Sequence, residues 1–535
     1  MSTTKSKSKP NSNKKQTNKI NLSSLKDIIV EINGDTSFLN IGITETESLF
    51  FRVINKENRY YENIFSLIEL TNNFLDVENN NINNIYAFLI RETYKLRYND
   101  DKSEMILNYN TYDRNTGRLV TKNLKLNLKK NKEDILIIEN MEKIKSLNDF
   151  NNQYRTNITI NCNIIPLAGK SINNQGFREL CKFGLNASSI YLDNNKISDI
   201  SPLNSGTFKN LTQLYLSYNN INNIKNLYNL KFDNLLELKL SNNKIEDITS
   251  LEGVKMQKIE KLFLDNNNIS DITVIENFDF KNLNILNLSR NNIKNISILE
   301  KCNLQKLHDL DLSNNNIIDV SIFEKVEFNY LEKLNLSQNE IELILINKKI
   351  SFPSLKIIDF YNNNIKQVTI NGRIILPKIN KINFSNNLIE KINITKLQKI
   401  NKLQELNLSQ NKIEDISFFE NIEIKGLKKL FLNYNKIEDI EILGDINIKK
   451  ISTLELSNNK ISDINALKNM SLKHLVLLNL SHNLIKNLKP IENIEIPILK
   501  NLFISNNLLV KSLQKNTDIL TNLRERTRTH YFFIQ

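Results

Sequence analysis

The stretch Leu235-x-x-Leu238-x-Leu240-x-x-Asn243-x-Ile245-x-x-Ile248-x-x-Leu251 (LLELKLSNNKIEDITSL) decides how this chain is read. Its asparagine recurs at a fixed interval of 24 residues, at Asn195, Asn219, Asn243, Asn267, Asn291, Asn315, Asn339, Asn363, Asn387, Asn411, Asn435, Asn459, Asn483 and Asn507. Self-similarity at such a period implies stacked coils, each burying the apolar side of its neighbours. Leu238 and Leu240 are two apart, the spacing of a strand with one buried face. Apolar residues five after the asparagine (Ile200, Ile224, Ile248, Ile272, Ile296, Val320) and eight after it (Leu203, Leu227, Leu251, Ile275, Leu299, Phe323) are expected to fill the far side of each coil. The chain must turn after the strand, and the asparagine amide can satisfy the stranded backbone groups of its own coil and the next. Proline lacks an N–H donor and is excluded from central strands. Pro202 and Pro490, seven after an asparagine, and Pro353, Pro377 and Pro497, ten before one, therefore mark the non-strand arc.

This pattern resembles the leucine-rich repeat family from about Ala187 to the end of the last repeat. The signature Asn-x-Ile-x-Asp-Ile (Asn243 to Ile248, Asn411 to Ile416, Asn435 to Ile440, Asn459 to Ile464) is similar to the subclass shared by bacterial internalins and a regulator of protein phosphatase 1. The resemblance implies an α/β solenoid, a horseshoe with a parallel concave β-sheet, and reads the asparagines as a buried ladder. Its secreted members cap their ends with paired cysteines. Cys162, Cys181 and Cys302 form no such set, which favours a reducing compartment, cytoplasmic or nuclear.

Other segments frame the repeats. Residues 1–23 form a basic tail that carries six of the net +13 charges (Lys5, Lys7, Lys9, Lys14, Lys15, Lys19), with no acidic residue and no apolar signal region. Residues 24–145 leave the 24-residue period and read as a small α+β domain. Strands are expected at Ile28 to Ile32 and Phe50 to Ile54, and a hairpin from Met105 to Tyr112 and Leu119 to Leu128. A capping box at Ser66-x-x-Glu69 opens a helix toward Phe74, and Ile82, Ile85, Tyr86, Leu89 and Leu96 signal another. Residues 146–186 read as an N-terminal cap with one degenerate repeat, Ser171 holding the asparagine phase. The solenoid follows over 187–510, and a helix and an apolar strand over 511–535 close it.

No carrier of catalysis is visible. Glycine-rich phosphate loops and nucleophile elbows are absent, and His308, His474, His482 and His530 lie near no cysteine or carboxylate at metal-ligand spacing. We therefore expect no cofactor, no metal, no membrane span and no specific nucleic acid. The expected role is a non-catalytic protein scaffold, with a regulatory subunit of an enzyme such as a phosphatase, or a nucleic-acid binder acting through the basic tail, as alternatives. Side chains four, two and one before each asparagine should face outward. Tyr191, Tyr215, Tyr218, Lys239 and Phe263 then make one aromatic patch, Asp311 and Asp359 belong to a polar centre, and Phe431, Tyr434 and Phe503 make a second patch. The residues two before, mostly serine from Ser217 to Ser505, should form an exposed polar stripe. After Asn339, Asn363 and Asn387 the arc changes, with Asn347, Asn371 and Thr395 in place of the apolar residue. A different outer wall is expected there.

Overall fold

The computed structural model describes the backbone of strands between residues 26 and 128, and residues 146–533. It omits 160–161, 184–185, 206–208, 510–512, 528–530 and positions 229, 255 and 279. The chain divides into two compact units, Met1–Ser146 and Leu147–Gln535.

In the first unit seven strands form an antiparallel sheet. In spatial order they are Lys26–Ile32, Asp35–Ile43, Leu49–Ile54, Tyr60–Phe65, Leu119–Leu128, Glu104–Tyr112 and Lys95–Tyr98. The hairpin pairs Tyr112 with Leu119 and Glu104 with Asn127. The expected helices from Ser66 toward Phe74 and over Ile82 to Leu89 lie outside the described residues. Leu96 is a correction: it sits in a strand, opposite Leu107. Lys95-Leu96-Arg97-Tyr98 alternates polar and apolar residues, and that local period of two prevails over the longer helical spacing.

The second unit is built on a parallel sheet of 16 strands, most of them three residues long, one per coil. Register is in phase from coil to coil. Tyr215 pairs with Lys239, Lys239 with Phe263 and Phe263 with Asn287. The central strand residue faces the core, so Leu238, Leu262 and Leu286 are at most 1% exposed. A sharp turn follows each strand. Residues directly before the asparagines, Asn194 through Asn506, hold φ between 52° and 57°, a conformation that asparagine tolerates better than most residues. Regular coils return through 3₁₀ turns such as Thr249–Gly253 and Ser297–Glu300, which bury Leu251 and Leu299. Apolar residues five and eight after the asparagine are three apart, and one 3₁₀ turn takes three residues. The prolines fit this arc: Pro202 and Pro490 lie in 3₁₀ turns.

Three coils are walled differently. Leu343–Ile346, Gln367–Ile370 and Lys391–Ile394 form an outer parallel sheet, and Ile350–Ser351 pairs with Ile374–Ile375. Here the inward residues, such as Ile344 and Ile346, are two apart, the spacing of a strand. Gly372 is required in this wall, since a Cβ there would lie 1.9 Å from the carbonyl oxygen of Lys348.

The N-terminal cap corrects the expected phase. The edge strand Ile164–Pro166 pairs Ile164 with Ser189, so this coil is 25 residues long. Lys170, not Ser171, stands opposite Asn195, and Gly169 (φ +68°) takes the left-handed turn. An edge position also explains a proline within a strand. Helix Asn174–Lys182, capped by the Asn173 side chain on the Gly176 N–H (3.0 Å), buries Phe177, Leu180 and Cys181. At the other end, strand Tyr531–Phe533 pairs in parallel with Asn501–Phe503 after helix Leu513–Arg526.

Candidate functional site

The fourteen asparagines all bond in one way. Asn315 Nδ2 donates to the carbonyls of Leu312 (3.0 Å) and Ser313 (3.2 Å) in its own coil and of Leu288 (3.0 Å) in the preceding one. Its Oδ1 accepts the Ile293 N–H of the preceding coil at 3.0 Å. The partner coil is thus the preceding one, not the next. A side chain of fixed length reaches these groups only from the inside of the turn, where a carbonyl and an N–H of the earlier coil face it.

On the outer side of the sheet, the first and third strand residues project away from the core. The third carries Tyr191, Tyr215, Lys239 and Phe263 on consecutive strands. The Tyr191 and Tyr215 rings lie 4.8 Å apart. The Lys239 ammonium sits 3.9 Å from the Tyr215 ring centre and 5.4 Å from that of Phe263, within cation–π range of both. Beneath them Glu237, 7% exposed, pairs with Lys239 (3.2 Å) and Lys261 (3.6 Å). Burial opposes its charge, but hydrogen bonds from Lys239 and Tyr215 and the two lysine charges hold its carboxyl below the usual glutamate range. Burial and the bond to Glu237 push the Tyr215 hydroxyl up. Tyr191 donates to Gln213 Oε1 at 2.9 Å.

Gln213, Glu237 and Lys261 belong to the row six before each asparagine, which the sequence reading missed. Its signal was the strand's own period of two: with three residues per strand, both flanking positions of the central leucine face out. That row also places Lys333 by Asp309 (3.5 Å) and Lys381 and Lys429 on either side of Glu405 (2.9 and 3.5 Å).

The expected exposed serine stripe is corrected. Ser217, Ser241, Ser289, Ser313, Ser337, Ser385, Ser409, Ser457 and Ser481 are buried. In several coils they turn back onto the residue four before the asparagine, as when Ser313 Oγ donates to Asp311 at 2.6 Å. Asp311 also accepts the Ser313 N–H (2.9 Å) and Asn335 Nδ2 (3.2 Å), and Asp359 accepts the Tyr361 N–H (2.8 Å) and Asn383 Nδ2 (3.0 Å). This polar centre is bonded to itself along the sheet. Tyr218 and Tyr434 are exposed on left-handed turns (φ 55°), beyond the strand. Phe431 and Phe503 are three coils apart with Glu455 and Asn479 between, so no second cluster forms.

Among the described residues no cluster of three histidine, cysteine or acidic side chains could hold a metal. No helix there is long and apolar enough to cross a membrane. Burial pushes the thiols of Cys181 and Cys302 up to about 12, the latter helped by Glu276. Protonated thiols are poor nucleophiles.

Residues 425–469 match the family profile described as leucine-rich repeats, two copies. With the coil geometry above, that match decides the family. This is a leucine-rich repeat protein. No curated sequence matches the chain. Among solved structures, the leucine-rich repeat chain is similar to an internalin from Listeria monocytogenes, with 26% identity over 66% of this chain and 85% of that one and a TM-score of 0.37. It is also similar to a chain of the LRIM1/APL1C complex, with 22% identity, 60% and 61% coverage and a TM-score of 0.45. A third likeness is to a chain in an assembly of Latrophilin 3, Unc5D and the leucine-rich repeats of FLRT2, with 19% identity, 56% and 85% coverage and a TM-score of 0.38.

Proposed function

We propose that this leucine-rich repeat protein is a non-catalytic protein-binding scaffold that engages its partner through the concave face of the 16-stranded parallel sheet, in the cytoplasm. The observation that carries the reading is the cluster of Tyr191, Tyr215, Lys239 and Phe263 on consecutive strands. These side chains are half-buried, and aromatic and cationic groups held in this way on a rigid sheet are favoured anchors, since little rotamer freedom is lost when they are covered. Here the lysine is already held between two rings above a carboxylate, so its pose is set before a partner arrives. An element lying across several coils would touch this cluster first and meet Tyr218 at its edge. The self-bonded centre around Asp311 and Asp359 contributes shape more than affinity. The location rests on three cysteines that remain unpaired.

Affinity capture with the full chain, followed by calorimetry on the recovered partner, tests this. Changing Tyr215 and Phe263 together to Ala should weaken binding by about 2 kcal/mol or more, beyond the loss of roughly 1 kcal/mol of stability expected with the Tyr215–Glu237 hydrogen bond. Undiminished affinity in that variant would place the partner elsewhere.

A further inference from the structure

The three coils with strand outer walls border an apolar space among the described residues. It measures about 170 Å³ and is bordered by Ile344, Ile358, Val368, Ile382, Phe384 and Ile392, among other apolar side chains. Its cause is geometric. A strand advances about 3.3 Å per residue against about 2.0 Å for a 3₁₀ turn, so an outer strand lengthens the perimeter of a coil that still has 24 residues. At the same time the apolar plug eight after the asparagine is missing. Leu251 and Leu299 are 1% exposed in regular coils, whereas Asn347 and Thr395 are exposed and Asn371 is half-buried, bonded to Asn347 at 2.9 Å. Phe360 and Phe384, stacked at 5.0 Å in place of the usual leucines, recover only part of the volume. The central strand residues Ile358 and Ile382 are accordingly half-buried, where their counterparts Leu262 and Leu286 are sealed.

The polar side chains at the border are turned onto the backbone. Gln398 donates to the carbonyls of Gly372 (3.0 Å) and Lys396 (2.9 Å) and accepts the Ile374 N–H (2.9 Å). Glu324 accepts the N–H groups of Asn347 and Lys348. The rest of the lining is apolar and offers few of the two to four polar partners that a water needs. An apolar cavity of about 150 Å³ stays dry and takes up benzene.

We propose that the interior of coils 341–400 is a binding site for one small uncharged apolar molecule, an aromatic ring or short alkyl chain. This site is independent of the protein-binding face. The occupant would complete the core at the point where the sequence withdraws its own plug. Recognition would be by shape and exclusion of charge, with no hydrogen bond required.

Calorimetry and thermal unfolding of the full chain with benzene test this, with benzoate and benzylamine as charged counterparts. Benzene should bind saturably and raise the melting temperature in proportion to its occupancy, and the charged analogues should do neither. Val368→Phe and Ile382→Phe, each placing a ring in the space, should weaken benzene binding at least tenfold, and Leu262→Met in a regular coil should leave it unchanged. If one phenylalanine variant does not fold, the other decides. No saturable benzene binding by the wild-type chain would overturn the proposal, as would binding that survives in a folded phenylalanine variant.

Discussion

The regular coils over 235–330 and coils 341–400 share a sheet, a 24-residue length and the same asparagine bonds, yet differ on the opposite wall. Asn315 and Asn363 make matching contacts: each donates to two carbonyls of its own coil and one of the preceding coil, and accepts one N–H. The outer wall passes from 3₁₀ turns to strands and back without disturbing that register. The inner face is therefore specified independently of the outer one. Its hydrogen bonds are complete within the strand and turn, and the arc has only to return the chain with apolar residues inward.

If core density separates the two regions, truncation should separate them most. Leu262→Ala should cost about 4 kcal/mol, and Ile382→Ala, beside an existing space, about 2 kcal/mol. Urea unfolding of both variants measures the gap, and equal costs would mean that the two cores are packed alike. Next in size, Gly372→Ala should destabilise the strand-walled region by about 3 kcal/mol, because backbone must move to admit the methyl group. Hydrogen exchange should show the loss centred on coils 341–400.

The asparagines should not distinguish the regions. Asn315→Ala and Asn363→Ala should each cost about 2 kcal/mol, since the same backbone groups are left unpaired in the interior. A clear difference between them in chemical denaturation would break the claim that the inner face ignores its wall. The smallest effect concerns acid. Glu237 and Glu405 each sit between two lysines, and in both, burial is outweighed by those partners, so their carboxyls titrate below the ordinary value. A depressed carboxyl contributes stability above its unfolded pKa, and that contribution disappears as pH falls through the folded one. Glu237→Gln and Glu405→Gln should each flatten the fall in melting temperature below about pH 4.5, near the unperturbed glutamate range.

Much of this was legible in residues counted from the asparagine. The strand, the turn and the arc follow from apolar positions two and three apart, and the altered wall was announced by Asn347, Asn371 and Thr395. What escaped was anything needing side-chain direction within a three-residue strand. Glu237 and Lys261 lie on the far side of the central leucine from the turn, and the serines two before the asparagine share the outward phase yet are covered. Their hydroxyls are covered by the sheet's own side chains, bonded to Asp311 and its equivalents. The 25-residue first coil was hidden because an edge strand has no earlier neighbour to fix its phase, and a serine near the expected place suggested the wrong count. Of the candidate face, the Tyr215–Lys239–Phe263 alignment was readable from the period alone. The carboxylate beneath it was not.

One consequence lies in the direction of the asparagine bonds. Each amide reaches back to the coil made before it, closing a carbonyl and an N–H that otherwise stay open, up to Asn507 closing Leu480 and Ile485. A coil without a successor would therefore keep this carbonyl and N–H unmet, in addition to its open strand edge. The bonds all point one way along the chain. Past the last asparagine the pattern changes hands: Asn516 on the terminal helix meets the Leu488 N–H, and the strand at Tyr531–Phe533 pairs with Asn501–Phe503.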